Sequence, residues 1–123
     1  VASADFRVPD GGSSLTDLLA LGPTWVARTA GADPVCWLSA DGSSGSVAVL
    51  RGEVVDTLGA GDVLHGAFLA DVARHGTTDL PGTLTRAVSV AAMSVRSAGV
   101  RGWAGPRSPG VGSQRATAQE ALR

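Results

Sequence analysis

Two aspartates bracket a glycine turn in Asp56-Thr57-Leu58-Gly59-Ala60-Gly61-Asp62, and these residue types at this spacing could do chemistry. A glycine turn that runs into a helix leaves several backbone N–H groups that the helix cannot use, all aimed at one region. Those donors and the positive end of the helix dipole together suit a phosphate. Glycine lets the backbone approach an anion closely and take positive φ where needed. Asp62 is the unexpected member, because a carboxylate at the mouth of an anion site is unfavourable unless it handles a proton. A base for a hydroxyl, set beside donors for developing negative charge, is what phosphoryl transfer requires. Simpler readings compete here: Asp62 as an ordinary helix N-cap, and Asp56 as an Asx-turn residue.

The elements that must position this run follow from the pattern around it. Glu53-Val54-Val55 reads as a strand feeding the turn, and helical spacing follows over 63–75. There Val63, Gly66, Ala70 and Ala73 make a small-residue face suited to close approach to a sheet. Arg74, His75 and Gly76 mark the end of that helix. A second helix is expected over 81–98, with Leu84, Ala87, Val88, Ala91, Ala92 and Val95 on its periodic face, Asp79 or Thr83 as its cap and Gly99 as its stop. Upstream, 1–4 reads as a short strand and 9–14 as a loop, with Ser13 or Ser14 capping a helix that carries Leu15, Leu18 and Leu19. Residues 24–29, 35–39 and 46–50 read as strands, the last two joined through Asp41-Gly42, a hairpin signal. Residues 99–112 read as a loop and 114–122 as a terminal helix. Strands followed by helices give the α/β class built on a layered sheet. Open α/β sheets bind ligands beyond the carboxyl ends of their strands, where 56–62 is expected to fall.

Composition narrows the partners. The 123 residues suit one domain, and 44% hydrophobic content supports a packed core. A net charge of −1, with no run of like charges, points away from nucleic acid and from a membrane surface. Nothing approaches the ~20 apolar residues of a membrane span, so the chain reads as cytoplasmic. All ten of its Lys-or-Arg positions are Arg, so any cationic contact to phosphate must come from Arg. Cys36, alone in an apolar run, reads as a buried structural thiol. Trp25, Trp37 and Trp103 read as packing residues. His65 and His75 read as solvent-facing or capping residues with no partners for a metal set. The chain begins with Val inside a strand-like run, which suggests that an upstream part is missing.

The run 56–62, continued by Val63-Leu64-His65-Gly66-Ala67-Phe68, resembles the second signature of the ribokinase-like (PfkB) carbohydrate kinases, D-T-x-G-A-G-D with a following G-A-F. Thr29-Ala30-Gly31 is similar to that family's T-x-G nucleotide loop, and Ala91-Ala92 through Gly99 to its A-A…G helix end. The resemblance implies a ribokinase-like layered sheet with flanking helices, of which 1–123 is the C-terminal, nucleotide-binding part. It implies ATP-dependent phosphorylation of a sugar hydroxyl, with Mg²⁺ and, in part of the family, K⁺. Asp62 would then be the catalytic base, and the amides of Gly59, Ala60, Gly61 and Asp62 the anion hole. Thr29 and Gly31 would lie beside the nucleotide, Val88 against adenine. Asp56 and Leu58, with carbonyls near Ser94 and Gly99, match the monovalent-cation site. A small sugar is the implied partner, with a homodimer open for a full-length protein, and the run 61–68 looks closer to hexose and sulfosugar kinase branches than to ribokinases proper. The sequence departs from the family in three respects. Family members are longer; Ala2-Ser3-Ala4-Asp5-Phe6-Arg7 stands where the Mg²⁺-organising N-x-x-E is expected; and Asp33-Pro34 follows the T-x-G loop. A non-catalytic nucleotide-binding relative is the competing expectation.

Overall fold

The computed structural model describes residues 1–99 and 101–105; the terminal helix expected over 114–122 and the end of the loop before it lie outside these. In chain order the elements are β1 (Ala2–Ser3), α1 (Leu15–Leu19), β2 (Trp25–Ala30), β3 (Asp33–Ser39), β4 (Ser44–Val47), α2 (Ala60–His75), α3 (Leu80–Ser94) and a 3-10 turn at Gly102–Ala104. The strands form one sheet in the order β1-β2-β3-β4. β1 runs parallel to β2, and the other pairs are antiparallel. Strand alternation gives the sheet two working faces. Val26 faces α1 in a small cluster with Val8 and Leu18. Its neighbour Ala27 faces the other way, into the main core of Val35, Leu64, Leu84, Ala87, Val88 and Ala91. α2 and α3 pack on each other over that second face, where Trp25 stacks between Trp37 and Phe68 at centroid distances of 6.0 and 5.8 Å.

Local chemistry sets the boundaries. Ser14 caps α1 through a reciprocal capping box with Asp17. Asp79, and not Thr83, caps α3, its Oδ1 accepting from the Gly82 amide at 2.9 Å. The Asp41-Gly42 hairpin turns at a positive φ of 88° while Asp41 accepts from the Ser43 amide and hydroxyl. β3 starts at Asp33, earlier than expected, with Pro34 inside it. The β2–β3 register shifts between Arg28 and Ala30, next to Pro34, which has no N–H to give to a ladder.

Several expectations are corrected. Residues 53–55 are not a strand. Val54 and Val55 are 59% and 53% exposed, and the Val55 amide donates to the Val95 carbonyl at the end of α3 instead of to a sheet neighbour. β4 likewise stops at Val47, so the path from 48 to 59 is a loop and the glycine turn is not fed by a strand. α2 begins at Ala60, before Val63, and buries Leu64 with Val63, Ala67 and Phe68 packed alongside; the small-residue face at Gly66, Ala70 and Ala73 is exposed. α3 ends at Ser94, short of Ala98, because the carbonyl of its cap residue Val95 accepts from the loop amides of Val55 and Asp56. Cys36 is exposed, since the alternation that buries Val35 turns its neighbour outward.

One polar network fastens α2 to α3. Asp71 accepts from Arg86 Nη2 at 2.7 Å, from Arg86 Nε at 3.0 Å and from the buried Thr83 hydroxyl at 2.8 Å. Hydrogen bonds from Arg86, then from Thr83, hold the Asp71 carboxyl at about 2, below its ordinary 3.8. A carboxyl depressed in the folded state stabilises that state fully above its unfolded value, and loses the contribution as pH falls through the folded value. Urea unfolding midpoints should therefore drop between about pH 4 and pH 2, and Asp71→Asn should flatten that part of the profile. A profile unchanged by Asp71→Asn would show that the network does not couple to folding.

Candidate active site

Gly59 is the N-cap of α2 and sits at φ 77°, ψ 5°, a left-handed conformation that L side chains rarely adopt. This placement removes the N-cap reading of Asp62, which lies in the first helical turn. The amides of Gly59, Gly61 and Asp62 have no hydrogen-bond partner among the described residues; the Ala60 amide differs, donating to the Thr57 carbonyl at 3.1 Å. Three of the four amides expected to form an anion hole are thus available to a ligand. The Asp62 side chain is exposed and unbonded among the described residues, so nothing competes for its carboxylate.

Asp56 fixes this turn in place. Its Oδ1 accepts from the Leu58 amide at 2.8 Å, an Asx turn, and its Oδ2 accepts from the Gly99 amide at 2.9 Å. These two backbone bonds, Leu58 first, hold the Asp56 carboxyl below its ordinary range. The carboxylate therefore joins the start of the glycine turn to the segment after α3. The structure brings Asp56, Leu58 and Gly99 together through amide donors to the Asp56 carboxylate. Ser94 is buried and spends its hydroxyl on the Ala91 carbonyl. No group of three or more His, Cys, Asp or Glu capable of holding a metal occurs among the described residues.

A cavity of about 560 Å³ opens beside the glycine turn. Thr29, Gly31 and Val88, which come from β2, the β2–β3 turn and α3, all line it, as do Ala60 and Gly61 of α2. Its floor is aliphatic, with Val88 3% exposed. A Cβ added at Gly61 would meet no atom within 4 Å, so the missing side chain leaves room at the cavity edge. Asp62, one residue further, stands outside the cavity. Sequence reasoning missed the loop residues Val49, Leu50, Arg51 and Val54, which also line the cavity. The β-branched Val54 reads in sequence as part of a strand, and in the structure it is a loop residue. His65, expected to face solvent or cap, contacts the Gly61 carbonyl through Nδ1 at 2.8 Å and the Val1 carbonyl through Nε2 at 3.1 Å.

A helix-flanked sheet with a glycine-turn helix start beside an aliphatic cavity is the ribokinase-like α/β arrangement. Residues 7–104 match the pfkB family carbohydrate kinase, and the chain belongs to that family. Among solved structures it is similar to aminoimidazole riboside kinase from Salmonella enterica, complexed with aminoimidazole riboside and an ATP analog, at 31% identity and a TM-score of 0.67, covering 80% of this chain and 36% of that one. Adenosine kinase from Anopheles gambiae, in complex with a diadenosine tetraphosphate, matches at 28% identity and a TM-score of 0.56, over 68% of this chain and 25% of that one. Fructokinase from Xylella fastidiosa with bound ATP matches at 25% identity and a TM-score of 0.56, over 66% and 28%. The chain thus spans about a third or less of the length of these kinases. No curated protein sequence matches it. No described helix is long and apolar enough to cross a membrane.

Proposed function

We propose that this chain carries the nucleotide-binding and phosphoryl-transfer part of an ATP-dependent sugar kinase, acting on a primary hydroxyl of a small carbohydrate. The carrying observation is the set of three unpartnered amides, at Gly59, Gly61 and Asp62, beside a cavity and next to an unbonded carboxylate. The aliphatic floor at Val88 takes the adenine, Thr29 and Gly31 flank the nucleotide, and the amides receive the terminal phosphoryl. ATP supplies that group and departs as ADP. Asp62 accepts the proton of the sugar hydroxyl as its oxygen bonds to the γ-phosphorus and the bond from that phosphorus to the ADP oxygen breaks. The amides neutralise charge on the transferring oxygens. Because Asp62 stands outside the nucleotide cavity, the sugar would approach from its exposed side.

Gly61→Leu tests the cavity. Position 61 is helical and its missing Cβ faces open space, so the variant should fold, with a melting temperature equal to or above the parent. Its side chain would occupy the edge that the nucleotide needs. Calorimetric titration with a non-hydrolysable ATP analogue should show binding by the parent and a loss of at least about tenfold in the variant, roughly 1.4 kcal/mol. Equal affinity in the two would reject the placement. A second reading, a nucleotide-binding relative without sugar chemistry, is favoured by Ala2-Ser3-Ala4-Asp5-Phe6-Arg7 standing where N-x-x-E is expected, with no carboxylate cluster for a divalent ion among the described residues. Binding of the analogue together with no phosphorylation across a panel of sugars would select it.

A further inference from the structure

Arg51 is the only charged residue lining the cavity among the described residues. The other lining residues are small, aliphatic or threonine. Arg51 makes no hydrogen bond and no ion pair among the described residues, where the ion pairs involve only Asp71 and Asp79 with His75 and Arg86. Glu53, two residues away on the same loop, does not neutralise it. The next residue is Gly52, over which a second guanidinium lies: a Cβ at Gly52 would be 3.2 Å from Arg96 Nη2, and Arg96 likewise has no ion-pair partner among the described residues. Arg51, which lines the same cavity as Ala60 and Gly61, thus carries a positive charge with no ion-pair partner among the described residues, and Arg96 lies close by over Gly52. An aliphatic cavity with a single cation at its edge and unpartnered amides at the α2 start calls for a ligand with an apolar body and an anionic end.

Resting on the nucleotide reading above, we propose that Arg51 selects the ligand by charge, its guanidinium pairing the polyphosphate of a nucleoside triphosphate and so separating it from the uncharged nucleoside. Arg51 is a positioning and specificity residue, distinct from the base and from the amides. A guanidinium can form two parallel bonds to phosphate oxygens, which a lysine ammonium cannot reproduce. Being exposed and unbonded, Arg51 contributes no contact whose loss would unfold the chain.

The test is a titration of the parent, Arg51→Gln, Arg51→Lys and the loop control Glu53→Gln with a non-hydrolysable ATP analogue and with adenosine, at two salt concentrations, with melting temperatures as a folding check. Arg51→Gln should lose about tenfold in affinity for the triphosphate, with a weaker dependence on salt. Its affinity for adenosine should stay within about twofold of the parent. Arg51→Lys should fall between parent and Gln, and Glu53→Gln should show no loss. Equal losses for both ligands, or none for the triphosphate, in a parent that binds the triphosphate would overturn the role of Arg51 alone. A parent that binds neither ligand would overturn the nucleotide reading, and this assignment with it.

Discussion

Asp62→Asn is expected to lower kcat for sugar phosphorylation by about two to four orders of magnitude, the range supplied by a positioned general base. Affinity for an ATP analogue should change little. The split follows from position. Asp62 lies in the first turn of α2, so its amide is among those left without a hydrogen-bond partner among the described residues at the helix start, while its side chain is exposed and does not line the cavity. Asparagine keeps the backbone amide, the helix and nearly the volume of the side chain; it removes the charge and with it the capacity to take a proton. No hydrogen bond among the described residues is broken by the change, so the melting temperature should hold. The measurement is ADP release over a panel of small sugars, alongside calorimetry with the analogue. A variant with near-parental kcat would remove Asp62 from the role of base. A variant that lost nucleotide affinity in proportion to kcat would make the carboxylate a binding group.

What the sequence made legible here is what short-range chemistry dictates. A turn that must place a residue at positive φ selects glycine, and Gly59 does so one residue before the helix begins. A capping aspartate, an Asp-Gly hairpin and an apolar stripe at helical spacing are set by residues only a few positions apart. Asp79, Asp41 and the buried face of α3 accordingly emerge as expected. The β-branched pair Val54-Val55 misled for the opposite reason. Strand propensity expresses packing against neighbouring strands, and here the neighbour is the end of α3, whose Val95 carbonyl takes the loop amides. The same long-range contact shortens α3 and holds the loop that lines the cavity, so it accounts for both boundary differences. Arg51 escaped notice for a related reason. On sequence it is one of ten arginines, and only the loop path sets it beside the glycine turn. The small-residue spacing of α2 points to the wrong buried face, because the face carrying Leu64 and Phe68 buries more apolar area, packing into the main core and against Trp25.

Leu84→Ala should produce the largest loss of stability of any single truncation in the main core, about 2–5 kcal/mol. Leu84 is 0% exposed on α3 and belongs to the cluster that joins Ala27 and Val35 of the sheet to Leu64 of α2, so the void left behind is bounded by three elements that cannot all collapse into it. Against a total of about 5–15 kcal/mol for a domain, that is a large fraction, and the urea midpoint should fall steeply with little change in slope. Leu69 supplies the comparison: it is 66% exposed on α2, and Leu69→Ala should cost about 0.5 kcal/mol or less. Equal midpoints for the two variants would mean that the α2–α3 layer is not packed on the sheet as described. The same truncation reaches the site. Val88, one helical turn after Leu84, is in the cavity floor, and the end of α3 is bonded to the loop through Val95 and, beyond it, to Asp56 through Gly99. Loosening α3 should therefore weaken analogue binding under conditions where the variant is still folded, while Leu84→Met, which keeps the volume, should cost less than about 1.5 kcal/mol and preserve binding. If Leu84→Ala destabilises the fold without affecting affinity, the cavity floor is held by the loop and glycine turn independently of the core beneath it.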